Sequence, residues 1–569
     1  MAMTEIRRYV ETDPMPPPPL LTRRSAVAGS IAGLLAATGK PFAQAKAQLL
    51  DAAGGGAGSD LLVLEPDSAQ FVGLTQGFNR RWTAPNCAKI FVPLTEAGAQ
   101  QALTQALPFG PGKIRLRGGG HCYENFVFSA DTLALIDVSL LNDFGFDRQR
   151  NVFYAQSGGT NWDMYRQLYW RFGRTLPAGS CYSVGLGGHI CGGGYGLLSR
   201  QFGLTVDWLT GVHVVSVNGN GSTVFSRVGK NSPAGPDQDL FWAHTGGGGG
   251  NFGVITRYEF AALPVAPQFA EIVTWSWPWS VIAQNGVGYL AQIIGFFQYL
   301  TRTMPGSFFG LLKLAHQQAG AVSLIVQMTY DAPTEDRTLR AGLQRALAQF
   351  GLDKDVTAPT GPIVGHPAFV AAPQSYQDLR WIEAVQTLDG SGPNQKGKYK
   401  SAYMRKDFPD DQIKTIYKYL TWAPPAGKNI DMSQSLLQVD SYGGKINSVA
   451  REATAVWQRS SIYKLQYQTY WQSPLSGDGP DGDVYIGWID DFYREVYAKS
   501  GGIPDPAKDP TNNVDGCYIN YCDSALNAYG LPTALALYYG GNLPRLVKAK
   551  QQWDPLDYFQ NAQSIPLQL

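Results

Sequence analysis

Between Gly179 and Gly196 the chain sets eight glycines among eighteen residues. Glycine loses more backbone freedom on folding than any other residue, so so dense a run is costly unless the main chain must approach something closely. A bulged loop would explain part of it. A flat, extended ligand lying against the backbone explains it more economically. Two further glycine clusters flank this one. Arg117-Gly118-Gly119-Gly120-His121-Cys122-Tyr123-Glu124 follows the alternating stretch Lys113–Arg117. A strand running into three glycines exposes successive N–H groups, a nest that holds pyrophosphate without a lysine. Asp239-Leu240-Phe241-Trp242-Ala243-His244-Thr245 leads into Gly246–Gly250, then Asn251-Phe252-Gly253-Val254-Ile255. A plain linker is not usually bracketed by a tryptophan and a buried-type strand. Neither a Walker lysine nor a G-x-G-x-x-G opening a helix is present, which disfavours a nucleotide-hydride dehydrogenase.

Charge narrows the function classes. Lys plus Arg number 46 and Asp plus Glu 45, for a net charge of +1, so no global field attracts nucleic acid or an anionic membrane. Aromatic residues are 12% of the 569 residues, a supply that suits a planar cofactor or an aromatic- or sugar-lined cleft. The six cysteines form no C-x-x-C pair, and the scattered histidines offer no i, i+4 couple, so no metal site is expected. Cys517 and Cys522 would face opposite sides of one strand and could not pair.

The N-terminus reads as a leader over residues 1–47. Thr22-Arg23-Arg24 precedes an apolar run from Ala26 to Thr38 and the small-x-small site Ala43-Gln44-Ala45. That is the pattern of a twin-arginine signal cleaved near Ala45 or Ala47. It implies passage through the twin-arginine translocation machinery and a secreted or periplasmic bacterial protein. The apolar run is too short to span a bilayer, and no span is expected in the mature chain. Residues 48–70, with Gly54–Gly58, read as a flexible spacer. Residues 71–263 read as α/β, with strands at Lys89–Pro93, Leu133–Val138, Val212–Val217 and Val254–Phe260. Thr95 is placed to start a helix. From 264 to 504, alternating strands such as Val322–Tyr330, Leu436–Tyr442 and Tyr463–Trp471 suggest an antiparallel sheet with helices on one face. Residues 505–569 read as a short strand and a helix.

The last stretch carries a fourth cluster, Tyr518-Ile519-Asn520-Tyr521-Cys522-Asp523. As a strand it would point Tyr518 and Asn520 to one side and Tyr521 to the other. In order, the four clusters resemble the berberine-bridge-enzyme-like flavoprotein oxidases of the vanillyl-alcohol-oxidase/PCMH group. Within it, the secreted bacterial aclacinomycin-oxidoreductase type is most similar. The resemblance covers roughly Phe78 to Pro566. It implies an α+β, two-domain PCMH-type fold: an FAD-binding domain over 71–263, a substrate domain over 264–504, and a segment over 505–569 completing the first.

The resemblance also implies roles. FAD is expected to be bound twice covalently, through His121 to the flavin 8α-methyl and through Cys181 to flavin C6. Arg117, Gly118, Gly119, Gly120 and Cys122 belong to the first binding motif. Gly179, Ser180, Val184, Gly185, Gly187, Gly188, His189, Gly192, Gly193 and Gly194 belong to the second. Gly253, Val254, Ile255, Tyr518 and Asn520 complete the cofactor set. Val184 goes with reaction of reduced flavin with O₂. Tyr521 matches the catalytic tyrosine, and Lys464 is placed as the cation that would favour its phenolate, since a free phenol titrates near 10. Gln466 occupies a position where some relatives carry glutamate, and Tyr195 matches a second active-site tyrosine.

The reading that follows is an exported oxidase taking a hydride from an alcohol carbon, with O₂ as acceptor and H₂O₂ released. A hydroxyl of a sugar or glycosylated natural product is the first choice of substrate. A phenolic or alkaloid-like compound undergoing C–C, C–O or C–N oxidation, and a dehydrogenase with a non-oxygen acceptor, remain open. So does a carbohydrate-binding flavoprotein whose flavin is structural.

Overall fold

Among the described residues sixteen strands make three sheets. The computed structural model describes residues 59–357, 376–388, 390, 392, 394–473 and 477–569. The expected leader and most of the expected spacer lie outside these residues. Residues 60–569 form one compact unit.

The first sheet holds β1 (Leu61–Leu64), β2 (Lys89–Pro93), β3 (Ile114–Arg117) and β4 (Ala134–Asp137) in the order β1-β2-β4-β3. β2, β4 and β3 run parallel, while β1 pairs antiparallel with β2. Leu61–Leu64 is therefore strand rather than the end of a spacer: Leu61 and Leu64 are buried, and that apolar pair holds the segment on the sheet. The crossover from β2 to β3 uses the helix Glu96–Ala106, whose first turn is capped by Thr95 accepting from the Gly98 N–H. Its Ala99, Ala102, Leu103 and Ala106 are fully buried. Gly118–Gly120 begins where β3 ends, outside the carboxyl end of a parallel strand, where α/β sheets bind ligands.

The second sheet comprises β5 (Phe144–Asp147), β6 (Val152–Gln156), β7 (Gly211–Val217), β8 (Thr223–Gly229) and β9 (Val254–Phe260), all pairs antiparallel. The third is a seven-stranded antiparallel sheet. Its strands are β10 (Phe269–Pro278), β11 (Phe308–Ala315), β12 (Ala321–Tyr330), β13 (Tyr376–Arg380), β14 (Lys396–Met404), β15 (Leu436–Ser441) and β16 (Tyr463–Trp471). They lie in the order β13-β10-β12-β11-β15-β16-β14.

Alternation explains the two faces of that third sheet. Leu312, Leu314, Leu324, Val326, Leu437, Val439 and Leu465 are buried on one face. Helices Val287–Thr303 and Gly482–Val496 pack against this sheet, and Asp410–Leu420 packs on both of them. The intervening residues Lys313, Ser323, Gln327, Gln438, Asp440, Gln466 and Gln468 face a cavity. The sheet thus has an apolar side toward helices and a polar side toward a ligand space.

The C-terminal helices Leu531–Tyr539 and Leu543–Trp553 return to the first half of the chain. The Lys550 ammonium donates to the Asn251 carbonyl at 3.0 Å and to Asp554 at 2.6 Å. Asp239 accepts from Arg545 and Lys548. One local expectation fails here. Residues 519–521 form a tight 3₁₀ turn, closed by the Tyr521 N–H donating to the Tyr518 carbonyl at 2.9 Å. The turn places the Tyr518 and Tyr521 rings edge to face, 5.0 Å apart, rather than on opposite sides of a strand.

Candidate active site

A cavity of about 990 Å³ runs between the glycine clusters and the polar face of the third sheet. Arg117, Gly118, Gly119, Gly120, His121 and Cys122 line one side of it. Gly179, Ser180, Cys181, Val184, Gly185, Gly187, Gly188 and His189 line the next, followed by Gly253, Val254 and Ile255. Tyr518, Asn520 and Tyr521 close it near the third sheet. Residues from four distant stretches of chain thus share one space.

The glycines do two different jobs. A Cβ on Gly119 would sit 2.3 Å from the Gly185 nitrogen, so the first two motifs touch backbone to backbone. Gly118 and Gly188 instead have room for a Cβ, and they leave main chain bare toward the cavity. Gly192, Gly193 and Gly194 do not line the cavity, contrary to expectation. They pack against Asn520, Val456 and Thr205, where a side chain would collide. The density of that stretch therefore serves close chain packing as well as ligand approach.

His121 stacks on Phe78, and its Nε2 lies 2.9 Å from the Ser183 hydroxyl. Burial, helped by the Arg117 charge, pushes its imidazole down to about 4, so it is neutral at pH 7 and keeps a nitrogen lone pair. Arg117 itself is held by Asp137. His189 is also neutral, pushed down to about 4 by burial and by Lys464, and its ring accepts the Gly179 N–H at 3.2 Å. Asn520 donates to the His189 carbonyl and to the Tyr518 hydroxyl, both at 3.0 Å, pinning the Tyr518 turn onto the second motif.

Beside these stands a buried charged group. The Lys464 ammonium donates to the Tyr521 oxygen at 3.1 Å and to Asp440 at 2.7 Å. It also lies 4.2 Å from the Tyr521 ring centre and 4.4 Å from that of Tyr195. Such cation–π contacts spread its charge over both rings. The expected phenolate is not what these contacts produce. Burial first, and the Asp440 charge second, hold the Tyr521 phenol well above its usual value. The Asp440 carboxylate, bonded to the same ammonium, acts against phenolate formation. Tyr195 is not free for acid–base work, because its hydroxyl donates to the Ser441 carbonyl at 2.7 Å.

Gln466 donates to the Tyr123 oxygen at 2.9 Å and accepts from Gln468 at 2.9 Å, while Gln468 accepts from Tyr470 at 2.8 Å. Tyr123 in turn stacks on Tyr399 and Tyr521. The strand registers align Ser276, Ser323, Lys313, Gln438 and Gln466 in one row across five adjacent strands. In the neighbouring row Asp440 pairs with Lys464. Gln327, 1% exposed, lines the same cavity, and among the described residues neither of its side-chain amide atoms has a hydrogen-bond partner.

Comparison with known proteins agrees with this geometry. A family model described as "FAD binding domain" matches residues 89–224, and one described as "Berberine and berberine like" matches residues 517–566. The chain is 43% identical over 516 residues to the hexose oxidase of Chondrus crispus, covering 87% of this chain and 92% of that protein. It is 33% identical over 566 residues to the aclacinomycin-N/aclacinomycin-A oxidase of Streptomyces galilaeus, covering 95% and 96%. The chain belongs to the berberine-bridge-enzyme-like flavoproteins. Among solved structures, aclacinomycin oxidoreductase matches this family member with a TM-score of 0.77 at 31% identity, over 89% of this chain and 99% of that one. A glycopeptide hexose oxidase complexed with teicoplanin matches with the same TM-score, identity and coverage. These likenesses bear out the α+β, PCMH-type fold.

This berberine-bridge-enzyme-like chain is an FAD-dependent oxidoreductase, and its cavity fits that cofactor. Bare glycine backbone at Gly118 and Gly188 suits a phosphate chain. A neutral imidazole at His121 and a thiol at Cys181 border the same space. Among the described residues no group of three His, Cys, Asp or Glu side chains could hold a metal ion, and no helix is long and apolar enough to cross a membrane. Asp440, Tyr123, Gln438, Gln468, Lys313 and Gln327 were not singled out from the sequence. For Gln438 and Asp440 a signal exists: they alternate with Leu437 and Val439, so a polar face of that strand was readable.

Proposed function

We propose that this protein is an exported oxidase of unprotected sugars, with FAD held covalently at His121 and Cys181. The observation that carries the reading is the chain from Asp440 through Lys464 to Tyr521, beside a polar row that includes Gln438 and Gln466 on the same sheet face. When bound, FAD supplies a two-electron acceptor that takes hydride from a carbon and passes the electrons to O₂, releasing H₂O₂.

The chain's own residues do the rest. Tyr521, as its phenolate, takes the proton from the substrate hydroxyl and becomes a neutral phenol, and the Lys464 ammonium stabilises the phenolate that precedes the transfer. Gln438, Gln466 and Lys313 hold neighbouring ring hydroxyls. Amides suit this work because each offers both donor and acceptor, as a sugar hydroxyl does. Holding the reacting C–H in one orientation turns encounter into positioning. His121 and Cys181 keep the cofactor from being lost after export, and small Val184 leaves access for O₂. The similarity to a hexose oxidase supports the substrate class.

The test is a panel of free hexoses, pentoses, disaccharides, phenolic alcohols and an aglycone, each followed by H₂O₂ release and by reduction of added quinone. The expected result is H₂O₂ formation with free sugars and none with phenolic alcohols. Fast quinone reduction without H₂O₂ overturns the oxidase reading. Turnover confined to phenolic compounds overturns the sugar reading.

A further inference from the structure

We propose that Cys122 and Cys522 form a disulfide that ties the first flavin-side motif to the segment carrying Tyr521. Each cysteine stands next to a residue of the site: Cys122 follows His121, and Cys522 follows Tyr521. Four hundred residues of sequence separate them, yet both line the same cavity. Their side chains meet as hydrogen-bonded partners, and each also pairs with the main chain of Glu124.

The two segments are clamped in that position independently of the sulfurs. The Lys398 ammonium bridges Glu124 at 2.5 Å and Asp523 at 2.6 Å. The Ser524 hydroxyl donates to Glu124 at 2.8 Å. Residues just after each cysteine are thus fixed, and the two free thiols meet beside that frame. Cys517 does not compete, because its thiol donates to the Ser401 carbonyl at 3.2 Å. Cys191 donates to the Gly188 carbonyl at 3.4 Å.

The chemistry balances with a peroxide as oxidant. The hydrogen bond from Cys522 lowers the Cys122 thiol and raises its own, so Cys122 is the nucleophile. Its sulfur attacks a peroxide oxygen and the O–O bond breaks, giving a sulfenic acid and one water. The Cys522 sulfur then displaces the sulfenic oxygen, the S–S bond forms, and a second water leaves. Two thiols are oxidised and one H₂O₂ is reduced to two waters. An oxidase in turnover makes that oxidant in this same cavity. The pairing itself does not depend on that source, since added peroxide serves equally.

The experiment treats the purified full-length holoenzyme with H₂O₂, then denatures it in iodoacetamide without reductant and maps the peptides. The expected product is a cross-linked peptide joining Cys122 to Cys522, two hydrogens lighter than the separate thiol peptides, and split by dithiothreitol. Recovery of both cysteines as separate alkylated peptides overturns the proposal. So does a link from either one to Cys181 or Cys517. The same map reads the flavin tethers separately: a flavin-free Cys181 peptide counts against the covalent cofactor and leaves the disulfide result standing. A second measurement compares heat inactivation. Oxidised wild type should outlast both dithiothreitol-treated wild type and the C122S/C522S variant, and equal lifetimes for all three overturn the structural role.

Discussion

The Lys464 ammonium stands 3.1 Å from the phenolic oxygen of Tyr521. With Asp440 on its other side, this lysine sits between a carboxylate and a phenol that is held above its usual value. The sign of the pH dependence follows. A base acts when deprotonated, so raising pH raises the active fraction. Substrate reduction of the flavin, followed anaerobically, should still be climbing at about pH 10, the ordinary phenol value. Asp440→Asn removes a charge that opposes phenolate, so its profile should move to lower pH. A flat profile in wild type would remove Tyr521 as base.

Tyr521→Phe deletes the proton acceptor while keeping the ring that packs beside Tyr123 and Tyr518. Flavin reduction should fall by about 10²-fold or more, the lower bound for losing a general base. The absorbance and attachment of the flavin should not change. Stopped-flow reduction at saturating sugar is the measurement.

His121 and Cys181 border one cavity from different motifs, and under the proposed double attachment either tether would hold FAD alone. His121→Ala and Cys181→Ala should each keep FAD on the chain through acid precipitation. The double variant should release it to the supernatant. Loss of FAD from either single variant would count against two tethers.

Gln438 donates to Asp440 at 3.0 Å and stands beside Gln466 in the polar row. Gln438→Leu should lower kcat/KM for a free sugar about 5- to 150-fold, the effect of leaving a buried polar partner unmatched by about 1–3 kcal/mol. A loss carried by KM is expected if the amide binds hydroxyls. A loss carried by kcat alone would assign it to Asp440 instead.

Asp523 accepts from Lys398 at 2.6 Å and from Lys400 at 2.7 Å inside the protein. Burial alone would raise its carboxyl, but the two ammonium groups outweigh burial and hold it far below the usual carboxylate range. Its stabilisation is therefore present above the unfolded value near 4 and is lost as pH falls toward the folded one. Asp523→Asn should be destabilising near pH 7, by less than the ~3–5 kcal/mol of leaving a buried charge unpaired, because Lys398 keeps Glu124 and Lys400 keeps Asp490. It should also flatten the loss of stability below pH 4. Denaturant melts at pH 3 and pH 7 check both.

Much of this protein was legible because some signals are local. The glycine clusters, the alternation in Leu436–Tyr442 and Tyr463–Trp471, and the Thr95 cap each depend on residues close in sequence. They fixed which stretches are strands, which face of the third sheet is polar, and which four motifs matter. Other features are not local. The turn at Ile519–Tyr521 is set by packing against Ser401 and His189, and alternation could not reveal it. The partners Asp440 and Lys464 come from adjacent strands whose register is settled by sheet assembly. The use of Gly192–Gly194 for packing depends on Asn520, Val456 and Thr205, which approach only in the folded chain.

Sequence alone therefore determined the kinds of groups available: a histidine and a cysteine in glycine-rich strings, a tyrosine, a lysine, and a sheet with one polar side. The tertiary structure decided how they act on each other. Burial and the placement of Asp440 set the charge balance at Tyr521, and those are properties of distance and solvent exclusion that no linear spacing encodes.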